Sequence, residues 1–319
     1  MAQVFNLCTR TGNIPVPPKT FHGSDMGMGL WLAFGLGAAL GDSGADVLTK
    51  RYFVQLSPYG MALVRLLGAV PFLALVALGL SQPELPQPFW LIVAVMLPLE
   101  VLALLLYMRA LRSGHLSLCV PFLAFTPVFL IFTGWLVLGE NLNRWGVAGT
   151  VMIALGCYVL GLGADGAGKT GVLAPLKALA QEPGARLMLM VAAIYSVTAA
   201  LYKSAILHSG ALFFGTLYPL AVTGLMVSAY PWNRVRLGPS LKAHGGWFVV
   251  LGLCAVLSFL CLAGGMQLAP AAYLVAVKRL SLLMSVLLGG LWLKERPFLP
   301  RVLGAGLMCA GVGFIALRG

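Results

Sequence analysis

The sequence predicts an all-α integral membrane protein whose ten transmembrane helices form two inverted five-helix repeats. Three observations predict it. The 319-residue chain is 60% hydrophobic and 9% charged, with a mean hydropathy of +0.94, more apolar surface than a soluble domain can hide in a core. It holds ten apolar runs of about 20 residues, the length that crosses about 30 Å of hydrocarbon. A shift of 155 residues also superposes two of its segments without a gap.

Residues 1–26 are polar and Pro-containing (NIPVPP), without the apolar region of a signal peptide, and read as an N-terminal tail. The first repeat, 27–164, contains the runs 27–49, 58–79, 89–108, 115–138 and 146–163. Pro121 and Pro127 are expected to interrupt the backbone ladder of the fourth helix. A loop over 165–186 leads to the second repeat, 187–319, with runs at 187–207, 211–229, 247–268, 271–293 and 302–317. Connections are short, leaving no room for a separate soluble catalytic or ligand domain.

The repeat is carried by spaced identities. Gly134, Leu136, Leu138, Glu140, Val147, Gly149 and Gly156 recur as Gly289, Leu291, Leu293, Glu295, Val302, Gly304 and Gly311. Chance likeness between apolar helices does not preserve a glutamate at one spacing. Five helices per half is an odd number, so the halves insert with opposite orientation. Inverted repeats are a recurrent plan of secondary transporters, with the substrate near the midplane between halves.

A net charge of +12 speaks here to orientation, not to nucleic acid. Connections opposite the termini hold 13 Lys and Arg residues against five on the side of the termini. The positive-inside rule thus places both termini outside the cytoplasm, in a multi-pass protein of the cell (inner) membrane.

Ten helices in a five-plus-five plan, each half closing on L-x-L-x-E and a Gly-spaced helix, resemble the drug/metabolite transporter superfamily, EamA-type. The resemblance covers about residues 27–318, and Arg65, Leu106-Tyr107 and Ala110-Leu111 fit its usual pattern. It implies a gradient-driven carrier rather than an enzyme. It names no substrate, because the superfamily carries amino acids, drugs, nucleotide sugars, sugar phosphates and lipid-linked groups. V-K-R on the ninth helix, with Lys203 on the sixth, is similar to the triose-phosphate translocator branch, where the equivalent cations bind the substrate phosphate.

Lys278 and Arg279 stand out on their own account. A charge at the centre of a membrane helix costs about 2.5–3.5 kcal/mol on insertion scales. The equivalent positions of the first repeat are Leu123 and Ala124, so the fold does not need cations there. The pair meets either an internal carboxylate or an anionic ligand. Lys203 lies at a comparable depth, about 6–8 Å, so three cations are expected to converge on one anion, with Tyr202 and Tyr273 beside them.

Asp42, Arg65 and Glu100 form a second set, at estimated depths of about 22, 21 and 18 Å. Pairing of Arg65 with one carboxylate leaves the other free to carry a proton, since burial disfavours its charged form. The set is a coupling or gating candidate, or a wholly structural triad. Asp46, one turn on, reads as a weaker candidate near the interface. Glu140 and Glu295, at helix ends, read as caps or pair partners.

Other signals carry no chemistry. Gly163 to Thr170 satisfies G-x-x-x-x-G-K-[ST], but that loop works only between a strand and a helix of a nucleotide-binding fold. Cys8, Cys119, Cys157, Cys254, Cys261 and Cys309 show no metal or disulfide spacing, and His22, His115, His208 and His244 are scattered. No metal, cofactor or enzymatic activity is expected. Gly149 and Gly156, Gly304 and Gly311, and Gly306 and Gly313 repeat every seven residues, which suits close packing between the halves or dimerisation, so a monomer and a homodimer both stay open. The expected partners are membrane lipid and a small anionic, phosphate-bearing solute moved by alternating access. Export of amino acids or drug-like molecules with protons, and flipping of a lipid-linked phosphate, are the alternatives, with an integral-membrane enzyme as a distant one.

Overall fold

The structure, a computed structural model, describes residues 25–112, 120–162, 183–230, 235, 237–284 and 299–318. All regular secondary structure among the described residues is helical. The first repeat comprises α1 (Asp25–Tyr52), α2 (Pro58–Ala77), α3 (Gln87–Arg112), a 3₁₀ turn (Val120–Phe125) running into α4 (Thr126–Leu138), and α5 (Arg144–Leu162). The second comprises α6 (Pro183–Ser209), α7 (Ala211–Ser228), α8 (Gly245–Leu268), α9 (Ala271–Lys278) and α10 (Leu299–Arg318). A six-residue helix, Gly238–Ala243, precedes α8 and buries none of its side chains. By length and composition α2, α3, α6, α7 and α8 suffice to cross a membrane, and α4, α5 and α10 contain shorter apolar helices.

The expected boundaries hold to within a turn, with two exceptions in equivalent places. The fourth helix starts as a 3₁₀ segment and becomes α-helical only at Thr126. The ninth stops at Lys278, turns at Arg279, and is helical again from Leu280. Under the 155-residue shift Thr126 corresponds to Ser281, so both repeats break at the same point. Pro121 and Pro127 account for the first break, since proline cannot donate to the ladder. In the second no proline intervenes: the Arg279 amide is shared between the Val275 and Ala276 carbonyls and the Leu282 amide bonds to the Arg279 carbonyl, a single tightened turn.

Packing follows the repeat. Helix α1 lies against α8 and α9, and α6 against the equivalent α3 and α4. The largest contact joins α5 to α10, and there the glycines set the distance. A Cβ on Gly149 would stand 2.6 Å from the Gly311 carbonyl oxygen, and one on Gly156 2.7 Å from that of Gly304. In reverse, a Cβ on Gly311 would stand 2.6 Å from the Gly149 oxygen and one on Gly304 2.7 Å from the Gly156 oxygen. The register falls on α10 as it rises on α5, so these last helices of each half run antiparallel, related by a pseudo-two-fold axis. This is the inverted arrangement that an odd helix number requires. Gly306 and Gly313 have no atom within 4 Å of such a Cβ and play no part in the contact.

Candidate functional site

A cavity of about 170 Å³ lies between the repeats, lined from α1, α2, α3 and α4 on one side and α6, α7, α8 and α9 on the other. Both helix breaks reach it, through Leu123 and Thr126 in one repeat and Lys278, Arg279 and Ser281 in the other. Three carboxylates (Asp42, Asp46, Glu100) and three cations (Arg65, Lys278, Arg279) line it.

Four of these six close on one another. Asp42 and Asp46 sit one turn apart on the same face of α1, a spacing at which like charges repel. The Arg65 guanidinium bridges them, with Nη2 donating to Asp42 Oδ1 at 3.0 Å and Nη1 to Asp46 Oδ1 at 2.5 Å. Lys278 Nζ pairs with Asp42 Oδ2 at 2.9 Å, across the repeats. Ser258 donates to Asp42 at 2.6 Å and Tyr107 to Asp46 at 2.8 Å. Gly41 makes the first of these possible, because a Cβ there would stand 2.5 Å from the Cys254 carbonyl and 2.6 Å from the Ser258 nitrogen. Without side-chain bulk at Gly41, the α8 backbone reaches α1 and its hydroxyl reaches Asp42. Two positive and two negative groups cancel in this quartet, as buried charges must.

Glu100 and Arg279 remain. Among the described residues neither makes an ion pair. Glu100, on α3, takes a hydrogen bond from Thr198 on α6. Arg279 donates from Nη2 to Thr126 Oγ1 at 2.9 Å, and its buried Nε has no hydrogen-bond partner among the described residues. Each is steadied by a hydroxyl from the opposite repeat while its charge stays available. Tyr195 lines the cavity within electrostatic reach of both.

The expected set is therefore divided by the structure. Arg65 does reach Asp42, but its second partner is Asp46, not Glu100. Asp46 belongs to the quartet, held by Arg65 and Tyr107. Lys278 and Arg279 both face the cavity, the first neutralised by Asp42. Tyr202 lines it too, with its ring edge-on to Phe214 and Tyr218.

Lys203 does not join them, so the three-cation site is not assembled. Its ammonium is paired with Glu140 and donates to the Ala269 carbonyl at 2.6 Å. Burial explains the turn away, since both Lys203 and Glu140 need an opposite charge once out of water. Tyr273 also points elsewhere, over Gly146 at the start of α5, with its hydroxyl bonded to the Asn143 backbone. Glu140 is a pair partner, as expected; Glu295 and the G-x-x-x-x-G-K-T segment lie outside the described residues. Sequence reasoning missed Ser258, for which no signal existed, and Thr126, whose place beside Pro127 at a helix break was such a signal.

Two of the three comparisons with known proteins agree with this architecture. The model of a family described as EamA-like transporter family matches residues 29–162 and again 182–317, one match to each repeat. A solved structure titled "Crystal structure of protein" is similar with a TM-score of 0.66 and 18% identity, over 89% of this chain and 95% of that one. That is a likeness of fold. No curated protein matches the chain.

Proposed function

The chain belongs to the EamA-like transporter family, and from that premise we propose that it carries a small solute with separated opposite charges, by alternating access between its repeats. The anionic end of the solute meets Arg279 and the cationic end Glu100. The observation that supports this reading is the charge balance of the cavity. Its quartet is already neutral, and one cation and one carboxylate are left over.

A phosphate dianion is served less well. It calls for several cations at one place, whereas Lys203 is engaged with Glu140 and Lys278 with Asp42. A carboxylate or a singly charged phosphodiester suits the planar fork of one arginine. The proton is a second candidate for Glu100, because a buried carboxylate held in no ion pair among the described residues can take up a coupled proton. With both termini outside the cytoplasm by charge count, the Lys203 end of the bundle faces outward.

Thermal shift on purified protein tests the reading, since a ligand at a hundred times its Kd stabilises by about 2.7 kcal/mol. The probes are matched trios: leucine with isocaproate and isoamylamine, and the same sets built on glycine and phenylalanine. Zwitterions are expected to raise the melting temperature more than either truncated partner. Arg279→Gln should remove the effect and Arg279→Lys should restore part of it. Glu100→Gln should shift preference toward the carboxylate. A phosphate ester that stabilises more than every zwitterion, or a Glu100→Gln protein with unchanged preference, would sink this assignment. Transport whose pH dependence disappears in Glu100→Gln, with solute preference intact, assigns Glu100 to the proton instead.

A further inference from the structure

Glu140 and Lys203 lie outside the cavity lining, and carriage of the solute as described gives them no part. Glu140 follows Gly139, whose φ of +66° ends α4. The Gly139 and Glu140 amides fold back on the Trp135 and Gly134 carbonyls, and the left-handed backbone that closes this turn suits glycine. It presents the Glu140 carboxylate to the second repeat. Lys203, on α6, pairs with it, and the Ala271 amide donates to its Oε2 at 3.0 Å. Lys203 also donates to the Ala269 carbonyl at 2.6 Å. Ala271 is the first residue of α9, and its amide is one of the orphan donors that open any helix. The Glu140 carboxylate thus caps α9 from the other repeat, and Lys203 holds both the carboxylate and the strand of chain entering the helix.

The repeats differ at this point in a telling way. Glu140 has its counterpart in Glu295, but Lys203 corresponds to Leu48, just as Lys278 and Arg279 correspond to Leu123 and Ala124. The cation that fastens the start of α9 and the cations that end it are found in the same repeat and are missing from the other. Eight residues, about 12 Å of helix, separate the two ends. Over that length a helix moves as a rod, so a displaced start is a displaced Arg279.

We propose that Glu140 and Lys203 are positioning residues, fixing the height and rotation of α9 so that Arg279 faces the cavity. This rests on the reading of Arg279 as the group that receives the solute. Misplacement by 1 Å can cost about a hundredfold in a positioned reaction, so loss of the pin should be visible in affinity.

The test uses the full chain with Lys203→Met and Glu140→Leu together, which removes both charges, orphans neither, and takes the acceptor away from the Ala271 amide. The double variant should stay folded with a melting temperature near that of the parent. Backbone hydrogen exchange should accelerate in α9 but not in α5 or α8. Affinity for the zwitterion giving the largest thermal shift should fall about tenfold or more. The charge swap Lys203→Glu with Glu140→Lys should not rescue it, because a lysine at 140 cannot accept from the Ala271 amide. A double variant with parental exchange in α9 and parental affinity overturns the proposal, as does a swap that restores both. If no zwitterion binds the parent protein, the solute assignment falls by itself, and exchange in α9 still decides whether the pin exists.

Discussion

Arg65→Leu is expected to leave almost no folded protein in the membrane. Removing the guanidinium takes away both of its bonds to α1 and leaves Asp42 and Asp46 facing each other one turn apart. Lys278 and Ser258 still serve Asp42, but Asp46 keeps only the Tyr107 hydroxyl. Breaking a buried ion pair from one side costs about 3–5 kcal/mol, a large part of the roughly 5–15 kcal/mol that holds a domain together. Size-exclusion of detergent extracts and the melting temperature of whatever survives measure the loss. Arg65→Lys should be intermediate, because an ammonium is a point charge and cannot bridge two carboxylates in the way a fork does. Arg279→Gln should extract and melt like the parent, since no carboxylate is orphaned when it goes. The contrast separates charges that build the bundle from a charge that serves the cavity. If Arg65→Leu instead folds normally and only fails to transport, the quartet is not structural.

Much of the architecture was legible because it rests on periodicity. Hydropathy locates membrane helices when each is a continuous apolar run, and the identities from Gly134 to Gly156 and Gly289 to Gly311 give the duplication directly. Depth along a helix was legible as well, which is why Arg65 and Asp42 were brought together correctly. Rotation about the helix axis was not. Asp46 and Glu100 lie on different helices, and depth alone does not say which carboxylate faces the guanidinium. Lys203 shows the same limit. Its depth matched Lys278, but α6 turns it toward Glu140, and a glutamate at the end of the fourth helix gave no sign of facing the sixth. The two helix breaks were half visible. Pro121 and Pro127 announce the first, while the second falls at Lys278-Arg279, with no proline or glycine between Ala271 and Leu288.

Substituting alanine at Gly156 or Gly304 is expected to loosen the seam between the repeats. The added Cβ at Gly156 would stand 2.7 Å from the Gly304 oxygen and 2.8 Å from the Met308 nitrogen, and the one at Gly304 2.7 Å from the Gly156 oxygen and from the Leu160 nitrogen. These are backbone atoms of a helix and cannot rotate away, so α5 and α10 must separate along their length. Overpacking of this kind costs about 1–3 kcal/mol. Gly149→Ala and Gly311→Ala should cost the same, because each meets the other's carbonyl oxygen at 2.6 Å. The double variant Gly156→Ala with Gly304→Ala should cost less than the two singles added, since one separation accommodates both methyls. Gly306→Ala and Gly313→Ala supply the contrast. Nothing lies within 4 Å of either Cβ, so relief of glycine's helix penalty should stabilise each by about 0.5–1 kcal/mol. Thermal melts in one detergent give all six values, and cross-linking in membranes reports whether the Gly306 and Gly313 variants alter self-association. Equal losses at the four seam positions, with none at the other two, would follow from a two-fold axis running between α5 and α10. Losses confined to Gly306 and Gly313 would instead place the close contact on the outer face of α10, between copies of the chain.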